Sequence, residues 1–238
     1  MPLKKAKGNM YPWVTHTHSH LAGACPHQCR YCYVRAVSDR FGNAKYSGEP
    51  RLVEKEEHVS YGKNKTIFIE HCSDLFAYGI PGHFISRILD HCRKYQENTY
   101  VFQTKNPRRM TEWIEKMPLK RILGCTIETI ADRILQEVSS APTAAERISY
   151  MKTLRAMGES TFITIEPMLK GDMNLLAWYC SWAGPEFVNI GADSKGHGLP
   201  EPTARDVENL IKALKTYNID VRLKTNLDRI LKGAAKGD

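Results

Sequence analysis

The 238-residue sequence contains no long hydrophobic run. Its apolar stretches, such as Ile67 to Ile69, fall far short of the roughly 18 residues that a membrane helix needs. Met1 to Met10 is basic but lacks the apolar segment of a secretion signal, so a cytoplasmic chain with no membrane partner is expected. No sequence repeat or low-complexity tract appears, which sets aside solenoids and linkers. Neither G-x-G-x-x-G nor a P-loop is present, which weighs against a doubly wound nucleotide-binding sheet. Seven cysteines, an odd number without a signal segment, argue against a disulfide framework and turn attention to thiolate or metal chemistry. What the chain does have is positive charge: 34 Lys and Arg against 26 Asp and Glu, a formal +8. That excess fits a polyanionic partner such as DNA, RNA or a nucleotide, although it is spread along the sequence. Only Lys4, Lys5 and Lys7 at one end, and Lys232 with Lys236 at the other, read as short basic tails or solvated ends.

Short β-branched runs alternate with stretches of helical spacing. The runs are Thr66 to Glu70, Thr99 to Gln103, Arg121 to Thr126, Thr161 to Ile165, Phe187 to Ile190 and Val221 to Lys224, with Trp13 to His20 as a first strand. Between them, Phe84, Ile88, Leu89 and Cys92 form one apolar helix face, with His83, Arg87, Asp90, His91 and Lys94 largely off it. Ile148, Met151 and Leu154 mark a helix closed by Gly158, and Leu175 to Trp182 a more apolar one bounded by Asp172 and Gly184. Val207, Leu210, Ile211 and Leu214 repeat behind a cap at Thr203. Strand, helix, strand repeated in this way predicts an α/β fold, a partial or complete parallel β/α (TIM-like) barrel in a single domain over 1–238. The open doubly wound sheet is the structural alternative.

Polar residues stand at nearly every predicted strand end: Ser73 and Asp74; Thr104, Lys105 and Asn106; Thr126 and Glu128; Glu166; Asp193; Lys224 and Asn226. In a β/α barrel these share the mouth where such enzymes keep their chemistry. Polar loops also serve as helix caps, as Asn106 or Asp172 would.

After the first strand the chain reads Cys25-Pro-His-Gln-Cys29-Arg-Tyr31-Cys32-Tyr33. Three thiolates at this spacing can wrap one inorganic centre, and an iron-sulfur cubane held by three instead of four leaves one iron open to a substrate. Zinc completed by His27 or a distant histidine is the competing reading, and buried core cysteines a third.

The loop resembles the C-x3-C-x-aromatic-C signature of the radical S-adenosylmethionine enzymes. The resemblance implies a 4Fe-4S cluster on Cys25, Cys29 and Cys32 whose open iron chelates S-adenosylmethionine. One electron then cleaves the cofactor to methionine and a 5'-deoxyadenosyl radical, which takes a hydrogen atom from substrate. A reducing partner such as flavodoxin or ferredoxin is implied. Ile67 to Phe76, Phe102 to Pro107, Leu123 to Glu128, Phe162 to Pro167 and Val188 to Asp193 are similar to a phage-associated branch of unassigned function, distantly similar to spore photoproduct lyase. By that resemblance Tyr31 in the loop, Ser73 and Asp74 at the cofactor's amino group, and Thr126 and Glu128 at its ribose are cofactor-binding, and Lys105 and Glu166 face the mouth as catalytic candidates. An ion pair between those two is the plain alternative. Cys72 is the candidate hydrogen-atom donor, with Cys125 a weaker one; Cys92 and Cys180 sit on apolar helix faces.

His16, His18 and His20 alternate along the first strand and share a face, more as hydrogen-bonding filler than as a metal box. Tyr11, Trp13, Tyr31, Tyr33 and Phe76 could stack on a base. The expected activity is repair or modification of a nucleobase or nucleic acid, as a lyase or base-modifying enzyme. A peptide or small metabolite substrate is the nearest alternative, and a zinc-stabilised nucleic-acid-binding module without catalysis is the rival from another class.

Overall fold

The computed structural model of the protein describes residues 3–42 and 44–233. Two compact units emerge, one of Met1–Gln28 with Cys32–Leu123 and the other of Cys29–Tyr31 with Gly124–Asp238. The first holds strands β1 (Lys4–Lys5), β2 (His16–His18), β3 (Leu21–Ala22), β4 (Arg51–Leu52), β5 (Thr66–Ile69) and β6 (Thr99–Thr104). It also holds helices α1 (Tyr33–Phe41), α2 (Gly82–Arg93) and α3 (Pro107–Thr111). Strand β7 (Arg121–Thr126) begins in this unit and ends in the second. The second continues with α4 (Asp132–Val138), α5 (Ala144–Ala156), β8 (Thr161–Ile165), α6 (Met173–Ala183), β9 (Phe187–Ile190), α7 (Ala204–Thr216), β10 (Asp220–Leu223) and α8 (Asp228–Gly233).

The main sheet has eight strands in the order β1-β2-β5-β6-β7-β8-β9-β10, while β3 and β4 pair separately. Pairs β2–β5, β5–β6, β8–β9 and β9–β10 are parallel, and β1 runs antiparallel to β2. From β2 onward the spatial order follows the chain order. A doubly wound sheet reverses direction at a switch point, so this order selects the partial TIM-like β/α fold over that alternative.

Thr, Ile and Phe dominate the central strands because parallel strands bury both faces. Every residue of β8 and of β9 is buried. The helices carry the expected punctuation. Asp172 caps α6 by accepting from Leu175 N at 3.0 Å, and Gly184 closes it at φ +68°. Thr203 and Asp206 form a reciprocal capping box on α7.

Several expectations are corrected. Trp13 to His20 is not one strand: Val14 N returns to Tyr11 O at 3.0 Å, and regular pairing begins at His16. Lys4 and Lys5 are a strand, not a loose tail. Lys232 belongs to α8 and pairs with Asp228, whereas Lys236 lies outside the described residues. His91, expected off the apolar face of α2, is 2% exposed. Among the described residues no helix is long and apolar enough to cross a membrane.

Candidate functional site

The cysteine loop is held locally on both sides of its glutamine. Gln28 turns at φ +48°, donating from its N to Cys25 O at 3.1 Å, while Arg35 Nη2 donates to the Gln28 carbonyl at 3.0 Å. Cys32 is the N-cap residue of α1 and makes no side-chain cap bond, so its thiol is not spent on the helix end. In the second unit Arg30 N donates to Val138 O at 2.8 Å, and the Cys29 Sγ lies 3.2 Å from Ser139 Oγ. None of the three loop cysteines is in a disulfide; Cys29 is buried, and Cys25 and Cys32 are half-buried.

Asp74 is the hub of the first unit's strand-end residues. It is 7% exposed and accepts from Thr104 Oγ1 (2.7 Å), Lys105 N (2.7 Å) and Phe76 N (3.0 Å), with His27 Nε2 at 2.9 Å. Burial alone would push this carboxyl up. His27 beside it and the converging donors outweigh burial and hold it below the usual carboxylate range. Four donors fill the four lone-pair sites of a carboxylate. His27, weighed as a zinc ligand, is therefore turned to Asp74, and Asn106 caps α3 as expected. Neighbouring Ser73 is half-buried, and its hydroxyl has no protein partner among the described residues.

Cys72 lies between these groups and Glu70. Its Sγ is 3.2 Å from His71 Nε2, and its backbone N donates to Ser19 Oγ at 3.2 Å. The hydroxyls of Tyr33 and Tyr46 neighbour the thiol. Cys92, Cys125 and Cys180 are fully buried in the core.

In the second unit Glu128 and Arg147 form an ion pair at 2.7 Å with both side chains 0% exposed. Tyr31 donates its hydroxyl to the other carboxylate oxygen. Arg147 also donates to Thr126 O (3.0 Å) and Pro142 O (2.7 Å), which ties Tyr31, Thr126 and Glu128 into one network. Burial works against the Arg147 charge, but Glu128 and its neighbours outweigh it and keep the guanidinium protonated. Its Nη2 is buried without a partner.

Glu166 pairs with Lys224 at 2.7 Å and accepts from Asn226 Nδ2 at 2.8 Å. Gly191 makes this approach feasible: a Cβ there would lie 2.8 Å from Glu166 Oε1.

The aromatic expectations divide. Tyr11 is buried, stacks on Trp13 at 5.3 Å and donates to Gln103 at 2.8 Å, and Phe76 is 0% exposed, so these two pack instead of offering a face to a base. Tyr31 is engaged with Glu128. Tyr33 is 46% exposed and donates to His71 O at 2.6 Å.

Arg147, Glu70 and His91 carry this chemistry without having been singled out from the sequence. Arg147 falls three residues after buried Ala144 and four before buried Met151, on the apolar face of its helix, and that spacing was the available signal.

A family model described as "Protein of unknown function (DUF5131)" matches residues 10–220. No curated protein matches the sequence. Among solved structures, spore photoproduct lyase with bound AdoMet and dinucleoside spore photoproduct superposes with a TM-score of 0.63 at 10% identity, over 93% of this chain and 80% of that one. SuiB of Streptococcus suis bound to S-adenosylmethionine gives 0.60 at 13% identity, over 90% of this chain and 50% of that one. SuiB bound to its precursor peptide SuiA gives 0.58 at 12% identity, over 92% and 51%. At these identities the likeness shows a shared partial TIM-like fold and no more.

Proposed function

The chain belongs to the DUF5131 family of proteins of unknown function, and from that premise we propose that it is a radical S-adenosylmethionine enzyme with a 4Fe-4S cluster on Cys25, Cys29 and Cys32. One observation carries the reading: a C-x3-C-x2-C loop without disulfides in a chain that shares its fold with two S-adenosylmethionine-bound proteins. The donor set fits. Three thiolates suit iron-sulfur chemistry and leave a fourth corner open. The Ser139 hydroxyl beside the Cys29 sulfur is the kind of contact that tunes such a cluster. When bound, cluster and cofactor together supply reductive sulfonium cleavage and hydrogen-atom abstraction from substrate.

The chain's own residues would bind and orient. Ser73 supplies the unpartnered acceptor for an ammonium group, with Asp74 fixing the loop that presents it. Tyr31, Thr126 and Glu128 form the ribose side of the cofactor site, and Arg147 holds the Glu128 carboxylate in place. Lys105 and Glu166 act on the substrate side, Glu166 as an anion kept in position by Lys224 and Asn226. Cys72 returns the hydrogen atom. The substrate is a nucleobase or nucleic acid, by the basic balance of the chain and the likeness to a protein that holds a dinucleoside. A peptide is the second reading, favoured by the likeness to SuiB with its precursor peptide. A flavodoxin or ferredoxin would deliver the electron.

Anaerobic reconstitution with iron and sulfide tests the assignment. The expected result is a brown protein that, with dithionite and S-adenosylmethionine, forms 5'-deoxyadenosine, and that loses both properties in C25A, C29A or C32A. A colourless protein with one zinc on the loop and no 5'-deoxyadenosine would overturn it. Deuterated dinucleosides should pass label into 5'-deoxyadenosine; label arriving only from peptides would replace the substrate class.

A further inference from the structure

Away from these residues, the first unit gathers His18, His20 and His91, all buried, with one nitrogen of each within 4.8 Å of the others. The sequence reading gave the alternating His16, His18 and His20 a filler role. The fold exchanges His16, which bonds Thr15 at 2.8 Å, for His91 of α2. His20 Nε2 stands 2.8 Å from His91 Nδ1, and the His18 ring centroid is 4.4 Å from that of His20. The Tyr61 hydroxyl, 3.1 Å from His20 Nε2, brings an oxygen to the same place.

The nitrogens turned away from this group are held by fixed acceptors. His20 Nδ1 is 2.8 Å from Glu70 Oε1, His91 Nε2 is 2.9 Å from Val59 O, and His18 Nε2 is 3.2 Å from Glu56 O, with the Glu56 carboxylate at 3.9 Å. Ligand histidines almost always donate their second N–H to a carboxylate or carbonyl in this manner, which fixes tautomer and ring orientation. Glu70 also accepts from His20 N (2.6 Å) and Leu21 N (3.2 Å), and sits at φ +58°, a left-handed backbone that a non-glycine residue keeps only where its surroundings hold it there.

With a cation on the inner nitrogens, the outward N–H groups of His20 and His91 both donate, to the Glu70 carboxylate and to Val59 O.

We infer that His18, His20 and His91 bind one divalent transition-metal ion of the zinc class, with Glu70 as the carboxylate that orients His20. Imidazole nitrogens suit zinc, and a centre closed off from solvent is structural instead of catalytic.

The site is independent of the cysteine loop, and the test keeps the two apart. The full chain carrying C25A, C29A and C32A together should bind one Zn2+ per chain, and Co2+ in its place should give ligand-field bands without thiolate charge transfer. H20A and H91A in that background should bring the stoichiometry close to zero. E70Q, which keeps the side-chain size, should weaken affinity by about 10- to 100-fold at unchanged far-ultraviolet circular dichroism. In case the triple variant fails to fold, zinc-edge absorption of the wild-type protein should show nitrogen and oxygen neighbours and no sulfur. Absence of stoichiometric Zn2+ or Co2+, binding untouched by H91A, or a sulfur shell as the only zinc signal would overturn the assignment.

Discussion

Asp74 in one unit and Glu128 in the other are both buried carboxylates at the end of a strand, yet they are stabilised by different means. Asp74 is surrounded by two backbone N–H groups, a hydroxyl and an imidazole. Glu128 faces a guanidinium and a phenol. The first arrangement spreads one charge over several modest donors, each tolerable to lose. The second concentrates the balance in one permanent cation, so each partner strands the other if removed. The Asp74 arrangement should also respond to acid, whereas Arg147 keeps its charge at any pH the fold survives.

The sharpest way to break this contrast is R147M, which leaves Glu128 buried and uncompensated. We expect a loss of about 3–5 kcal/mol in urea unfolding, with R147M/E128L recovering most of it. Equal stability of R147M and wild type would remove the distinction. D74N should cost less, about 1–3 kcal/mol, since one amide replaces one set of acceptors among several donors. It also sharpens the pH contrast. The Asp74 carboxyl is held below its unfolded value, so its contribution is present above the unfolded carboxylate range and drains away as pH falls through the folded value. Stability curves of D74N and wild type should therefore converge in acid. Y31F removes one hydroxyl from Glu128 but leaves the cation, and about 1–2 kcal/mol is expected by thermal unfolding. The smallest effect, about 1 kcal/mol, is set for T203A at the α7 capping box, a control that touches neither carboxylate's hydrogen bonds.

The central strands were legible because fully buried parallel strands leave β-branched runs that little else produces. β7, β8 and β9 coincide with the runs Arg121 to Thr126, Thr161 to Ile165 and Phe187 to Ile190. Two-residue strands such as β1 and β4 carry no period, so Lys4 and Lys5 looked like a tail. The cysteine loop announced itself because its three thiols fall within eight residues of sequence. His91 and Arg147 did not, because a polar residue on a helix looks solvated until a partner distant in sequence is known: His20 lies 71 positions from His91, and Glu128 lies 19 from Arg147. Lys224 as the counterion of Glu166, 58 positions away, was hidden for the same reason.

Gly191 offers a way to separate where a charge is from what it does. A single methyl group at that position meets the Glu166 carboxylate at 2.8 Å and the Asn226 side-chain oxygen at 3.0 Å, without altering any ionisable group. G191A therefore perturbs the placement of Glu166 while keeping its carboxyl group, and pairing it with E166Q would tell an engineer whether this corner of the protein needs a carboxylate or merely needs it undisturbed.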